Sequence, residues 1–125
     1  VRGTGRALSH WQARREGGIA GDWEIVTDLV DPGREALAQR AQARIAAMWA
    51  AGAEAEVAAL LARGLDPRLP LMKAVGVRPL AALLEGRLTR DAATAAWLTE
   101  TLQLAKRQRT WLRHQSAGWG VSRPA

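Results

Sequence analysis

The sequence predicts a mostly α-helical chain with about five helices and one strand. Apolar residues recur at helical spacing through most of the 125 residues, whereas alternation of the strand type occurs in a single segment. Glycine, proline and capping residues fall between the apolar segments, where helices are expected to begin and end.

The first 30 residues predict one short helix and the single strand. Ser9 and Gln12 fit a capping box, so we expect a helix over residues 9–16. Residues 23–29 alternate between two faces and predict the strand. Because one strand cannot satisfy its own backbone groups, we expect its sheet to lie elsewhere, upstream of Val1.

Four further helices are expected after residue 30. Asp31 and Pro32 predict the N-cap and first residue of a helix over 32–51. Its apolar face would carry Leu37, Ala41, Ile45 and Met48. Helices over 53–63 and 79–85 should follow, on either side of a proline-containing loop at 65–70. Thr89 predicts the cap of the last and longest helix, over 90–115.

The composition limits the classes of function. The chain has no cysteine, which excludes disulfide scaffolds, cysteine-ligated zinc and cysteine nucleophiles, and we expect a cytoplasmic protein. No apolar run approaches the ~20 residues of a membrane-spanning helix, so we expect no membrane partner. The net charge of +6 is uneven: residues 1–62 carry −1 and residues 63–125 carry +7. A polyanion-binding surface in the second half would have this charge distribution.

The last predicted helix concentrates this positive charge. Its apolar stripe consists of Ala93, Trp97, Thr101, Leu104, Ala105, Gln108, Trp111 and Leu112. Cations lie beside the stripe, at Lys106, Arg109 and Arg113 on one edge and at Arg107 on the opposite side. Residues 101–125 contain five basic groups and no acidic one, more than the ~0.3–1 kcal/mol per cation from the helix dipole calls for. Phosphate contacts would account for them, and a solvated cationic edge is the alternative.

The run LAKRQRTWLR at Leu104–Arg113 resembles the C-terminal signature of tRNA dimethylallyltransferases. Other segments resemble the same family in the same order, over roughly residues 3–119. They are Gly5–Gln12, Arg34–Leu37 with Arg40, Arg44, Met48 and Gly52, Glu56–Leu65, Leu69–Gly76 and Leu84–Gly86. The chain departs from the family pattern at Val77, Pro79 and Leu102, where the family often has tyrosine, glutamate and arginine.

The resemblance implies an enzyme that transfers a dimethylallyl group from dimethylallyl diphosphate to N6 of the adenosine 3′ of the anticodon. The family has a P-loop-type α/β core that binds nucleotide phosphates and uses Mg²⁺. This chain has no G-x-x-x-x-G-K-[ST] motif. We therefore expect the C-terminal part of such an enzyme, inactive alone, with Mg²⁺ held by residues outside it. Residues 1–30 would contain the end of an insertion and one core strand, and residues 31–125 the helical tRNA-binding part.

The resemblance also implies roles for individual residues. Arg44 matches an arginine that contacts the diphosphate, with Arg40 supporting it one helical turn away. A first tRNA-contacting segment would contain Lys73, Gly76 and Arg78. A second would contain Lys106, Arg107, Gln108, Arg109, Thr110, Trp111 and Arg113. The partners expected are the anticodon stem-loop of tRNA and dimethylallyl diphosphate, bound by a monomer.

Two other functions fit the sequence. One is a basic helical RNA-binding module without catalysis, and the other is a basic helical protein-interaction domain. The two histidines, His10 and His114, are too few and too far apart in sequence to predict a metal site. Steep salt dependence of tRNA binding would separate either RNA-binding function from the protein-interaction domain.

Overall fold

The computed structural model describes residues 5–13, 26–116 and 120–122. Its five α-helices are α1 (Leu8–Ala13), α2 (Arg34–Ala50), α3 (Ala53–Ala62), α4 (Val77–Leu84) and α5 (Arg90–Gln115). A 3₁₀ helix spans Pro70–Lys73, and the strands are β1 (Asp28–Val30) and β2 (Gly120–Ser122). The mostly α prediction is confirmed. The expected end of the first helix and the first half of the predicted strand lie outside the described residues.

The strand is shorter than predicted and has a partner in this chain. β1 begins at Asp28, and Val26 and Thr27 precede it in irregular structure. It pairs in parallel with β2, with Asp28 opposite Gly120 and Val30 opposite Ser122. The expectation that β1 has no partner strand in this chain was therefore wrong. The second strand was missed because three residues carry too little alternation to be recognised.

Two predicted helix caps were wrong, because the helices begin at other residues. α1 begins at Leu8, so Ser9 lies inside the helix and cannot be its N-cap. α2 begins at Arg34, two residues later than predicted, and its N-cap is Gly33, at φ 85°. The Asp31 carboxylate accepts a hydrogen bond from the Gly33 N–H at 3.0 Å and so stabilises the turn before the helix.

The middle of the chain follows the predicted helix order with shifted boundaries. α3 ends one residue earlier than predicted, and Gly64 follows with a positive φ of 60°. The loop after it ends in the 3₁₀ helix, which was not predicted. α4 begins two residues before Pro79, because Pro79 fits within the first turn, where a missing N–H breaks no helical bond.

The last helix was predicted correctly at both ends. α5 runs from Arg90 to Gln115, and the Thr89 hydroxyl accepts a hydrogen bond from the Ala92 N–H at 3.3 Å. Asp91 lies in its first turn and Arg113 in its last, the arrangement that the helix dipole favours. At 1.5 Å per residue this helix is about 39 Å long, so it extends beyond the shorter helices that pack on it.

The core lies where α2 and α4 pack against the first half of α5 and α3 packs against α2 and α4. Its buried side chains are Ile45, Ala53, Val57, Val77, Leu80 and Trp97. Burial of side chains as large as Leu80 and Trp97 contributes roughly 1.5–3 kcal/mol each. The predicted apolar face of α2 is confirmed, since Ile45 is buried and Met48 packs against the same cluster.

Trp49 joins α2 to α5 beside this core. Its indole N–H donates to the Thr94 hydroxyl at 3.0 Å, and its ring meets Trp97 edge to face at 5.9 Å. The Arg90 guanidinium lies 4.4 Å from the centre of the same ring. The C-terminal end of α2 is therefore held against the N-terminal half of α5.

Within the described ranges, no helix taken singly is long and apolar enough to cross a membrane. The pair α2 and α3 meets the length and composition requirement only when both helices are counted together, and they are bent by 67° relative to each other.

Candidate functional site

The second half of α5 is exposed, unlike its first half. In this helix only Ala93 and Trp97 are buried, at the end covered by α4. Further along the predicted stripe, Leu104 is 36% exposed and Trp111 is 61% exposed. Gln108 is exposed too, so its amide needs no hydrogen-bond partner inside the protein. The stripe continues past the helices that cover its beginning.

Three cations project from this exposed part without an acidic partner among the described residues. Lys106, Arg107 and Arg113 are exposed, and none of them forms an ion pair with any residue that the structure describes. Other exposed arginines do have partners: Arg68 pairs with Asp66, and Arg87 with Glu85. Hydrogen bonds from the Arg68 guanidinium lower the pKa of the Asp66 carboxyl. The second predicted tRNA-contacting segment, at residues 106–113, therefore presents positive charge that no described carboxylate neutralises.

Arg109 differs from its neighbours on α5. Its Nε and one terminal nitrogen both donate to the same Asp31 oxygen, at 3.2 and 2.8 Å. The other Asp31 oxygen accepts from Gly33, at the start of α2. The Arg109 and Asp31 side chains are 35% and 28% exposed, the least exposed ion pair among the described residues. Arg109 therefore links α5 to the segment between β1 and α2.

A groove of about 450 Å³ lies between α2 and α5. Its cations come from both helices: Arg34 from the first turn of α2, and Lys106, Arg109 and Arg113 from α5. The apolar side chains of Leu37 and Leu102 also line it. The structure thus brings three residues of the predicted second segment together with Arg34, which the sequence did not single out.

The turn before α4 is anchored to α5. Gly76 has a φ of 96°, and a Cβ atom there would lie 2.5 Å from the Trp97 indole nitrogen. Its N–H donates to a Glu100 carboxylate oxygen at 3.4 Å. Glycine is therefore required at this position because the backbone passes close to Trp97, inside the protein. Contact of Gly76 with tRNA stays a prediction.

Lys73 and Arg78 lie on either side of this turn, and both are exposed. Lys73 ends the 3₁₀ helix and Arg78 is the second residue of α4. A cation in the first turn of a helix is disfavoured by the dipole by about 0.3–1 kcal/mol. Neither side chain has an ion-pair partner in the described part of the chain, so their placement suits an external anion.

Arg40 and Arg44 are exposed on α2, one turn apart, and Arg44 directly precedes the buried Ile45. They are not among the residues that line the α2–α5 groove. The two predicted diphosphate arginines therefore lie outside the lining of that groove. Neither forms an ion pair with a described carboxylate.

Two further features limit the chemistry of the site. In this conformation the Thr110 hydroxyl donates to the Lys106 carbonyl at 3.0 Å, which leaves its oxygen available to a ligand as an acceptor. Among residues 5–13, 26–116 and 120–122, no group of three His, Asp or Glu side chains is placed to hold a metal ion.

Sequence reasoning missed three residues of this site. Asp31 was interpreted as a helix cap, and its ion-pair partner lies 78 residues away, beyond any local pattern. Glu100 reaches the Gly76 turn across 24 residues, and Arg34 reaches the groove only because α2 packs on α5. The sequence held one usable signal, because Glu100 is the last acidic residue before a run of cations.

Comparisons with known proteins agree with one another. The family model described as IPP transferase matches residues 1–115. The tRNA dimethylallyltransferase of Novosphingobium aromaticivorans is 48% identical over 118 residues, which is 94% of this chain and 42% of that protein. That of Sphingopyxis alaskensis is 51% identical over 120 residues, covering 95% of this chain and 39% of the relative. The chain thus spans about two-fifths of the length of these curated relatives.

A solved structure is similar in fold. The crystal structure of a tRNA delta(2)-isopentenylpyrophosphate transferase from Staphylococcus epidermidis matches with a TM-score of 0.70 at 24% identity. The match covers 81% of this chain and 32% of that protein.

Proposed function

Because the chain belongs to the IPP transferase family, we propose that it forms the tRNA-contacting part of a tRNA dimethylallyltransferase. The reaction transfers a dimethylallyl group from dimethylallyl diphosphate to N6 of the adenosine 3′ of the anticodon. In this proposal the second half of α5 and the turn around Gly76 bind the anticodon stem-loop, while Arg40 and Arg44 contact the diphosphate.

The observation that carries the proposal is the charge of α5. Lys106, Arg107 and Arg113 are exposed on one stretch of helix, and no described acidic side chain pairs with them. Lys73 and Arg78 add two cations without described partners, at a turn that is anchored to the same helix through Trp97 and Glu100. Phosphate groups of RNA are the ligands that such a surface attracts.

The reaction explains why two arginines on α2 are useful. As the bond between C1 of the allyl group and the diphosphate oxygen breaks, the electron pair leaves with the diphosphate. N6 of adenosine forms the new bond to C1 and loses a proton to a base. Arg40 and Arg44, one turn apart, present two guanidinium groups to the charge that develops on the leaving group. The resemblance implies that the base is a catalytic aspartate in the N-terminal part of the enzyme, and we expect it to lie outside this chain.

The family also uses Mg²⁺. That Mg²⁺ is held by groups outside this chain stays a prediction. The cations named above act on phosphate groups directly.

Salt-dependent binding of an anticodon stem-loop to the 125-residue chain tests the proposal. The logarithm of the binding constant falls linearly with the logarithm of the salt concentration. Each lost phosphate contact makes this slope less steep by roughly 0.7–0.9. We expect Arg107→Ala and Arg113→Ala each to make the slope less steep by about that amount. Arg63→Ala, at an exposed position at the end of α3, serves as the matched control and should leave it unchanged. If Arg107→Ala and Arg113→Ala both behave like Arg63→Ala, the assignment of α5 to tRNA fails.

A non-catalytic RNA-binding module is the second candidate, and one observation favours it. The sequence contains no phosphate-binding loop of the G-x-x-x-x-G-K-[ST] type. The salt experiment and an assay of prenyl transfer by this chain alone give the same result for both candidates. A G-x-x-x-x-G-K-[ST] motif in the translated genomic sequence upstream of Val1 would favour the enzyme, and a stop codon followed by a start codon would favour the module.

A further inference from the structure

We infer that Arg109 is a positioning residue and not a tRNA contact: its ion pair with Asp31 holds the start of α2 against α5 and sets the spacing of the cations across the groove. This inference rests on the proposed function, because it concerns how the tRNA-binding cations are arranged. It assigns roles to Asp31 and Arg109 that neither the resemblance nor their positions in sequence indicate.

The geometry of the pair makes Arg109 a poor phosphate ligand. Two of its nitrogens already donate to one Asp31 oxygen, at 3.2 and 2.8 Å. A phosphate at this guanidinium would have to displace the carboxylate, or else share the guanidinium with it at the cost of like-charge repulsion. Lys106 and Arg113, which line the same groove, have no such partner among the described residues.

The pair is one of two attachments between α2 and α5 that the described side chains provide through hydrogen bonds. The other is Trp49, which donates to Thr94 and packs on Trp97. From Gly33 to Trp49 is about 24 Å of helix, and from Thr94 to Arg109 is about 22 Å, at 1.5 Å per residue. These lengths agree, as two antiparallel helices fastened at both ends require.

Loss of the Asp31–Arg109 attachment would affect the groove in particular. Arg34 begins α2 directly after Gly33, whose N–H is bound by Asp31, and Arg34 faces the cations of α5 across the groove. With the attachment at Trp49 left at the far end, the start of α2 can move away from α5. The distances between Arg34, Lys106 and Arg113 would then vary, and RNA binding would have to order them.

A double-mutant cycle on the 125-residue chain tests the attachment. Asp31→Asn keeps the acceptor for Gly33 and removes the charge, and Arg109→Met keeps the aliphatic side chain and removes the guanidinium. We expect each variant to lower Tm by a few degrees, and the double variant to melt no lower than the less stable single one. Additive effects on Tm would overturn the attachment.

Binding of an anticodon stem-loop then distinguishes positioning from phosphate contact. We expect Arg109→Met to weaken binding about three- to tenfold without changing the salt slope, whereas the control Arg113→Met lowers the slope by roughly 0.7–0.9. Asp31→Asn should also weaken binding, although it makes the chain more positive.

Failure of this inference and failure of the proposed function would give different results. If Arg109→Met lowers the slope as much as Arg113→Met does, or if Asp31→Asn tightens binding, Arg109 contacts phosphate and the inference is wrong while the proposed function stands. If none of the α5 variants, including Arg107→Ala, changes the slope, the proposed function fails. The double-mutant cycle measured by Tm then still decides whether the Asp31–Arg109 attachment exists.

Discussion

Gly76 combines two requirements at one residue. Its φ of 96° lies in the left-handed region, and Trp97 fills the space where a side chain would begin. The glycine therefore lets α4 begin directly against the indole of α5, with Lys73 and Arg78 exposed on either side. A residue predicted to contact tRNA thus has a packing role that decides where the neighbouring cations lie.

Gly76→Ala should destabilise the chain strongly. The left-handed conformation costs a side chain about 1–2 kcal/mol, and the overlap with Trp97 adds about 1–3 kcal/mol for overpacking. Together these costs should lower the free energy of unfolding, measured in urea, by about 2–5 kcal/mol.

Gly86→Ala is the matched control for this prediction. Gly86 also has a positive φ, of 72°, but no neighbouring group lies within 4 Å of the position that a Cβ atom would occupy there. Only the conformational cost of about 1–2 kcal/mol applies at this glycine. Equal losses at both glycines would show that Trp97 yields to the added methyl group.

The charged residues show that the same residue type serves different purposes on one helix. Arg107 and Arg113 are exposed without a described partner, while Arg109 is held by Asp31. Charge along the sequence predicts a basic surface, but it does not say which cations are available to bind a ligand. That distinction depends on a carboxylate from another element.

At the scale of the elements, α5 connects the whole candidate site. Its first half packs against α4 and Trp49, with Ala93 and Trp97 buried, and its second half carries the exposed cations. The turn at Gly76 is attached at Glu100, six residues before Lys106, which corresponds to about 9 Å along the helix axis. One rigid helix therefore fixes the separation of the two segments proposed to contact tRNA.

The cap of α5 should consequently matter for stability. Thr89→Ala removes the acceptor for the Ala92 N–H, and loss of such a cap costs about 0.5–2 kcal/mol. We expect a matching decrease in the free energy of unfolding, followed by circular dichroism, and near-complete retention in Thr89→Asp.

Thr99→Ala provides the comparison within the same helix. Thr99 is exposed, and its hydroxyl donates to the Ala95 carbonyl, which is already part of the helix. Alanine has the higher helix propensity, so this change should be neutral or slightly stabilising. A loss at Thr99 as large as the loss at Thr89 would contradict a specific role for the cap.

At the scale of the whole molecule, the helices between the two strands form one packed unit. β1 and β2 pair in parallel, and α2 to α5 form the connection between them. A parallel pair of three residues each is marginal on its own, so its stability depends on the helices that pack next to it. The division of the chain at residue 30 stays a prediction.

We expect the 125-residue chain alone to show no prenyl transfer. Its sequence contains no G-x-x-x-x-G-K-[ST] motif. The catalytic aspartate that the resemblance implies is expected in a part of the enzyme that the matched segments do not include. Incubation with tRNA and dimethylallyl diphosphate, followed by analysis of nucleosides, should yield no isopentenyladenosine above background. Turnover would overturn this division of roles, and tRNA binding without turnover would agree with it.

The helix order, both ends of α5 and the membership of the family could be predicted from the sequence. Those features depend on local spacing, on caps and on ordered motifs, which are all readable along the chain. Tertiary structure alone decided that β1 pairs with β2, that Asp31 binds Arg109 and that Trp97 requires glycine at position 76. These contacts join residues 21 to 92 positions apart, and their formation depends on how the helices pack, which no local pattern encodes.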